Sequence, residues 1–152
     1  MLSKLIKRLR DDRGFTLIEL LVVMLLIAIL AAIAIPAYLE HQKKGHDADA
    51  ESNARNLVSK VELCYATQED YTLCDTTAEL GSDLGVAWGT SPGQASVVSA
   101  SKGTYEVTAV SSSSSDGSNH TFSITKSVSG ANDRTCTAGA TNNNGACRNG
   151  SW

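Results

Sequence analysis

The sequence predicts an α+β protein. A long N-terminal helix, membrane-spanning in its first half and amphipathic in its second, packs against a small antiparallel β-sheet head with disulfides. Three observations point there. Residues 20–39 are drawn without interruption from Leu, Val, Met, Ile, Ala, Tyr and Pro. A helical stripe follows at Ala50, Ala54, Leu57, Val58, Val61, Cys64 and Tyr65. Strand-like alternation occurs further on, at 104–110 and 121–126. A chain of 152 residues suits one domain and is short for two.

The chain opens on a basic leader. Residues 1–14 carry Lys4, Lys7, Arg8, Arg10 and Arg13 against Asp11 and Asp12. Without them the formal charge moves from −3 to −6, because a net +3 is removed. Bases ahead of an apolar segment mark the cytoplasmic flank, which puts whatever follows Leu39 outside the cytoplasm. The remainder has no basic cluster of the kind that tracks phosphates, so the residues give no support for DNA binding. The apolar run, rising about 1.5 Å per residue, matches a hydrocarbon core about 30 Å thick. It is apolar on every face, whereas a soluble amphipathic helix shows one stripe. An ordinary secretory signal, cleaved near Ala32-Ile33-Ala34, is the rival reading. Such signals have apolar regions of only about 7–15 residues, and an acid at the head does not suit them.

That acid is Glu19. Charges persist in dry surroundings when they are paired. Glu19 lies near one end of the apolar helix, within reach of lipid headgroups. Two readings stand on position alone: a tolerated interfacial acid, or a carboxylate that awaits a cation once the helix leaves lipid.

The segment Gly14-Phe15-Thr16-Leu17-Ile18-Glu19-Leu20-Leu21, behind a basic leader and ahead of a membrane-length run, resembles the N-terminal signature of type IV pilin precursors and their relatives, the type II secretion pseudopilins and the competence pilins. The likeness covers residues 4–36, and nothing within the motif departs from it; Asp11 and Asp12 are an oddity of the leader. The resemblance implies cleavage by a membrane prepilin peptidase between Gly14 and Phe15, with methylation of the new amino group on Phe15. It implies that Glu19 serves methylation and assembly, meeting the N-terminal ammonium of a neighbouring subunit in a helical homo-oligomer. Pro36 falls where the family's helix loosens. The precursor would be a single-pass protein of the cytoplasmic membrane, leader inside and head outside. The product would be an extracellular filament raised by an assembly platform and ATPase, supporting adhesion, motility or DNA uptake. A major pilin is the favoured reading. The alternatives are a type II secretion pseudopilin, a minor or competence pilin and, from a different class, an uncleaved membrane-anchored receptor or adhesin. DNA or a host surface as partner has no support in the residues themselves.

Beyond Leu39 the stripe from Ala50 to Tyr65 lies on one helical face, with Glu51, Asn53, Arg55, Asn56, Lys60 and Glu62 on the other. One helix over 15–66 would carry the head on one side. Pro36 removes a backbone donor and predicts a kink, and Gly45 is a second weak point. The run from Glu40 to Asp47 reads as a solvated stretch just outside the bilayer. His41 and His46 are five apart, which is not the spacing of a helical metal pair.

Residues 67–103, with Gly81, Gly85, Gly89, Pro92 and Gly93, read as a connecting loop with little regular structure. Strands are expected over about 104–136: one with Tyr105, Val107 and Ala109 inward, one with Phe122 and Ile124 inward, and a third around Arg134-Thr135-Cys136 after the turn 130–133. The serine run from Ser111 to Asn119 reads as the first connection, with Asp116-Gly117 as its turn. Aromatics make up only 5% of the chain, so the head has few large side chains to bury. Disulfides compensate. Cys64, Cys74, Cys136 and Cys147 allow three pairings, and sequence does not choose among them. Cys64–Cys74 and Cys136–Cys147 are favoured because both close short loops, each worth about 2–3 kcal/mol. The spacings do not match zinc sites, and an oxidising compartment favours disulfides over metal. In the resembled family a C-terminal disulfide loop forms part of the filament surface, and 136–147 corresponds in position.

No phosphate-binding loop, Ser-His-Asp motif or metalloprotease helix occurs, so no catalytic residue, cofactor or metal ligand is assigned. Asn119-His120-Thr121 and Asn149-Gly150-Ser151 match the glycosylation sequon and are read as chance matches. Asp70, Asp75, Glu79 and Asp83 lack the order of a calcium loop and read as a solvated acidic stretch.

Overall fold

The computed structural model describes residues 15–152. The leader, with the expected cleavage residue Gly14, lies outside the described residues. The chain divides into two compact units between Tyr38 and Leu39.

The first unit is the start of helix α1, Leu17–Gln68, which runs unbroken through Pro36 and Gly45. Thr16 caps it. The Glu19 N–H donates to Thr16 Oγ1 at 3.2 Å, and the Thr16 N–H donates to Glu19 Oε2 at 2.8 Å. This reciprocal box satisfies two of the four donors that every helix start leaves open. Downstream, the large apolar side chains from Phe15 to Leu39 are all exposed, Val22 and Val23 least at 46% and Phe15 most at 85%. The segment is long and apolar enough to cross a membrane.

In the second unit, α1 buries Asp47, Ala50, Ala54, Leu57 and Val61. Steps of three and four residues keep them on one face. Val58, Cys64 and Tyr65 flank them, partly buried. Small Ala50 and Ala54 let the sheet approach closely. Glu69 ends the helix at φ 55, its N–H bonded to the Tyr65 carbonyl at 2.8 Å.

Residues 67–103 are not the irregular loop expected. They form a 3-10 turn, Tyr71–Leu73, a short helix α2, Thr77–Leu80, and strands β1, Ala87–Trp88, and β2, Gln94–Ser101. Two of the acids serve as caps. Asp70 accepts from the Thr72 N–H at 3.0 Å. Glu79 and Thr76 form a second capping box. β2 escapes sequence reading because QASVVSAS is built of small polar and β-branched residues without clean alternation. Its ladder to β3, rather than apolar contrast, holds it as a strand.

The sheet has the order β1-β2-β3-β4-β5, with β3 at Thr104–Ser115, β4 at Ser118–Lys126 and β5 at Asn132–Thr137. All pairings are antiparallel except β1 with β2. Val107 faces Ile124 and Ala109 faces Phe122, so the expected inward residues form cross-strand pairs in the core. The serine run is a second correction. β3 continues through Ser115, and the connection shrinks to Asp116-Gly117, both at positive φ, as a two-residue hairpin turn requires. Ser111, Ser113 and Ser115 alternate inward and are buried. They continue the strand because buried polar partners await them. The turn before β5 spans 127–131, so Asn132 and Asp133 already belong to the strand.

Candidate functional site

At the helix start, Glu19 is exposed and only half engaged. Its Oε2 accepts from both the amide and the hydroxyl of Thr16, each at 2.8 Å. No donor to Oε1 occurs among the described residues. Both Thr16 donors are neutral, so the carboxylate charge remains to be met. Phe15, the first residue of the expected product, is 85% exposed. The sequence motif and the local geometry agree because Thr-x-x-Glu is itself a capping sequence.

The head treats its polar groups differently. Asp47 of α1 and His120 of β4 are both wholly buried, with His120 Nδ1 3.0 Å from each Asp47 oxygen. A ring nitrogen facing a carboxylate has to donate, which places the proton on Nδ1. His120 Nε2 and Ser115 Oγ share a hydrogen bond at 2.7 Å. The Ser113 hydroxyl donates to Asp47 Oδ1 in a short contact. The Ala146 N–H donates to Asp47 Oδ2 at 2.9 Å. One carboxylate thus joins the helix, the β3–β4 hairpin and the C-terminal loop. Burial alone would raise the Asp47 pKa, but bonds from Ser113, Ala146 and His120 outweigh it and hold the carboxyl below the ordinary aspartate value.

Asp47, His120 and Ser115 follow the hydrogen-bond order of a hydrolase triad, although no motif announces one. The arrangement is closed. A Cβ built on Gly139 would lie 3.2 Å from Ser115 Cβ, so loop backbone occupies the space a substrate would need. These residues act as a clasp. Sequence reasoning placed Asp47 in a solvated run and His120 beside a chance sequon. The available signal was spacing: Asp47 lies three residues before Ala50, on the buried face.

A second cluster closes the other end of the sheet. Lys126 Nζ donates to Glu62 at 2.8 Å and 3.1 Å and to Tyr71 Oη at 2.7 Å. It lies 5.2 Å from the Tyr71 ring centre and 6.0 Å from that of Tyr105. Tyr71 and Tyr105 also donate to Glu62, at 3.0 Å and 2.9 Å. Burial would raise the Glu62 pKa, yet Lys126 and the two phenols bring it below the ordinary value. Burial and the facing Glu62 raise that of Tyr105.

Disulfides join Cys64 to Cys74 and Cys136 to Cys147. The second closes the loop whose Ala146 amide holds Asp47, and Asp116 Oδ2 accepts from the Ala140 N–H at 3.0 Å to fasten its other side. Of the two histidines read as solvated, His46 lines a cleft with Asp49, Asn53, Gly93 and Ser112, and His41 is exposed. No group of three or more metal-binding side chains occurs among the described residues. Asn119 spends its amide on the Ser111 and Ser113 carbonyls, at 3.1 Å and 3.4 Å.

A family model described as a prokaryotic N-terminal methylation motif matches residues 9–35. The chain is 37% identical over 70 residues to the type IV major pilin protein PilA of Myxococcus xanthus, covering 46% of this chain and 31% of that one. It is 37% identical over 97 residues to prepilin peptidase-dependent protein D of Escherichia coli, covering 64% and 63%. It is 31% identical over 88 residues to the type IV narrow pilus major component PilA5 of Thermus thermophilus, covering 56% of this chain and 76% of that one. The chain therefore spans from about a third to just under two thirds of the first two relatives. No solved structure matches it. A methylation motif over the apolar helix start, a similarity spanning three quarters of a pilus component, and a helix laid on a disulfide-bonded sheet place the chain in the type IV pilin family.

Proposed function

We propose that this chain is a structural subunit, and specifically a major pilin, of a type IV pilus. The precursor is held in the cytoplasmic membrane by residues 15–39 with the head outside. A prepilin peptidase cuts between Gly14 and Phe15 and methylates the Phe15 amine. Assembly machinery with a platform and an ATPase then lifts the product into a filament, where the apolar segments of many copies pack together. Lipid is as apolar as the helices, so transfer out of the bilayer gains little from hydrophobicity. Close packing at Ala28, Ala31, Ala32 and Ala34 supplies contact. Pairing of Glu19 with a neighbour's Phe15 ammonium supplies register, since a misplaced subunit leaves a charge unpaired in dry surroundings.

One observation carries this reading: an exposed apolar helix surface, headed by a carboxylate that among the described residues engages only Thr16, through its Oε2. The relatives named as major pilus components favour a pilin over a pseudopilin. Mass spectrometry of the N-terminus tests the processing: a chain beginning at methylated Phe15 is expected. Recovery of the protein from cells with its leader intact and always as a single copy would return the reading to a membrane-anchored receptor. Long surface fibres made mainly of this chain are the expected form of the assembled product.

A further inference from the structure

The C-terminal segment contains two Asn–Gly pairs, Asn144-Gly145 and Asn149-Gly150, and their backbone amides are in different states. The Gly150 N–H donates to the Asn142 carbonyl at 3.0 Å. The Gly145 N–H has no acceptor among the described residues. Gly145 is nevertheless tightly placed. It sits at φ +62, where a Cβ would collide with Asp47 Oδ2 and lie 3.2 Å from His120 Cε1. The next residue, Ala146, provides the loop's donor to Asp47.

We propose that Asn144 is a site of spontaneous deamidation in the folded protein, and that its conversion to isoaspartate releases the C-terminal loop from Asp47. The Gly145 nitrogen attacks the side-chain carbonyl carbon of Asn144. A new N–C bond forms, the bond to the side-chain nitrogen breaks, and ammonia leaves with the proton given up by the Gly145 amide. Water then opens the cyclic imide at one carbonyl or the other, giving aspartate or isoaspartate; nothing is oxidised or reduced. Glycine in the following position lets the attack proceed because no side chain obstructs the approach. At Asn149 the same attack first requires the Gly150 N–H to abandon its carbonyl. Isoaspartate inserts one extra carbon into the main chain just before Gly145. With no room for a Cβ against Asp47, the loop has to shift, and the Ala146 N–H leaves Oδ2. This inference stands apart from the assembly reading and does not depend on it.

The test ages the purified full-length protein in mildly alkaline buffer, beside the same chain reduced and denatured. Peptide mapping with isoaspartate detection then reads both sites. Folding is expected to raise the ratio of Asn144 to Asn149 conversion at least about fivefold, the factor that one ordinary hydrogen bond contributes. A ratio unchanged by folding, faster conversion at Asn149, or an intact Asn144 in the aged folded protein overturns the site. The release is read separately by hydrogen exchange at the Ala146 amide. Exchange should quicken in the isoaspartate fraction but not in an equally aged Asn144→Ser variant. Equal protection in the two overturns the coupling to Asp47.

Discussion

Glu19 and Asp47 are carboxylates on the same helix, and the molecule handles them in opposite ways. Asp47 is wholly buried and surrounded by its own chain, with donors from Ser113, His120 and Ala146. Glu19 lies in the open, met on one oxygen by two neutral groups of Thr16, amid apolar side chains that are exposed among the described residues. A satisfied buried acid fixes a fold. An acid at the head of an exposed apolar surface leaves its charge available, which is the use proposed above for assembly. The substitutions below separate these two uses of charge.

Glu19→Ala should have the largest effect on assembly and none on the head. Filaments on the cell surface should be lost, while membrane insertion and the melting of the head stay as in the parent protein. Electron microscopy of cells and thermal unfolding of the purified variant read the two halves of that statement. Normal fibres from this variant would remove the proposed pairing with a neighbouring amine.

Asp47→Ala should show the reverse pattern. It strands His120, Ser113 and the Ala146 N–H in a dry interior, so a loss of about 3 kcal/mol or more is expected in denaturant unfolding. The acid limb of stability offers a finer measure. Because Asp47 and Glu62 titrate below their ordinary values when folded, the unfolded chain binds more protons in acid. Their contribution is fully present above the unfolded carboxylate values near 4 and drains away as pH falls through the lower folded values. Asp47→Asn should flatten that fall, whereas Glu19→Ala should leave its shape unchanged.

How legible these two acids were in the sequence differs just as much. Glu19 stands in a contiguous motif whose meaning is local: a cap, a membrane-length run and a basic flank within one stretch. The helix stripe from Ala50 to Val61 and the strands of Tyr105, Val107, Phe122 and Ile124 were legible for the same reason, since each pattern repeats within a few residues. Asp47 and His120 are 73 positions apart; the first stands in a run that reads as solvated, and the second carries no signal beyond a chance sequon. The serines of β3 looked like a linker because a strand that buries hydroxyls has no apolar alternation to show. β2 was hidden similarly, its strand character supplied by the neighbour it pairs with. What sequence reading missed was the polar interior, where the partner and not the residue decides burial.

Removing the Cys136–Cys147 disulfide should cost the head about 2–3 kcal/mol, somewhat less than losing Asp47. The Gly- and Asn-rich loop would keep its bonds to Asp47 and Asp116 and that from the Gly150 N–H to the Asn142 carbonyl. Paired Cys→Ser substitution should therefore speed hydrogen exchange at Ala146 and Ala140 well before it affects β3 and β4. Uniform loosening of the whole sheet would show that the loop is part of the core rather than fastened onto it.

Lys126→Ala should have the smallest effect, about 1 kcal/mol, although Lys126 donates to both Glu62 oxygens and to the Tyr71 hydroxyl. Its side chain is 22% exposed and that of Glu62 35%, so water screens the pair and rehydrates whichever partner remains. Glu62 also keeps the hydroxyls of Tyr71 and Tyr105. A double-mutant cycle between positions 62 and 126, read by denaturant unfolding, should give a coupling well below the whole cost of Asp47→Ala. A coupling as large as that cost would mean that the number of contacts, rather than the dryness of the site, sets the strength of charge in this head. The contrast drawn between Glu19 and Asp47 would then have to rest on geometry alone.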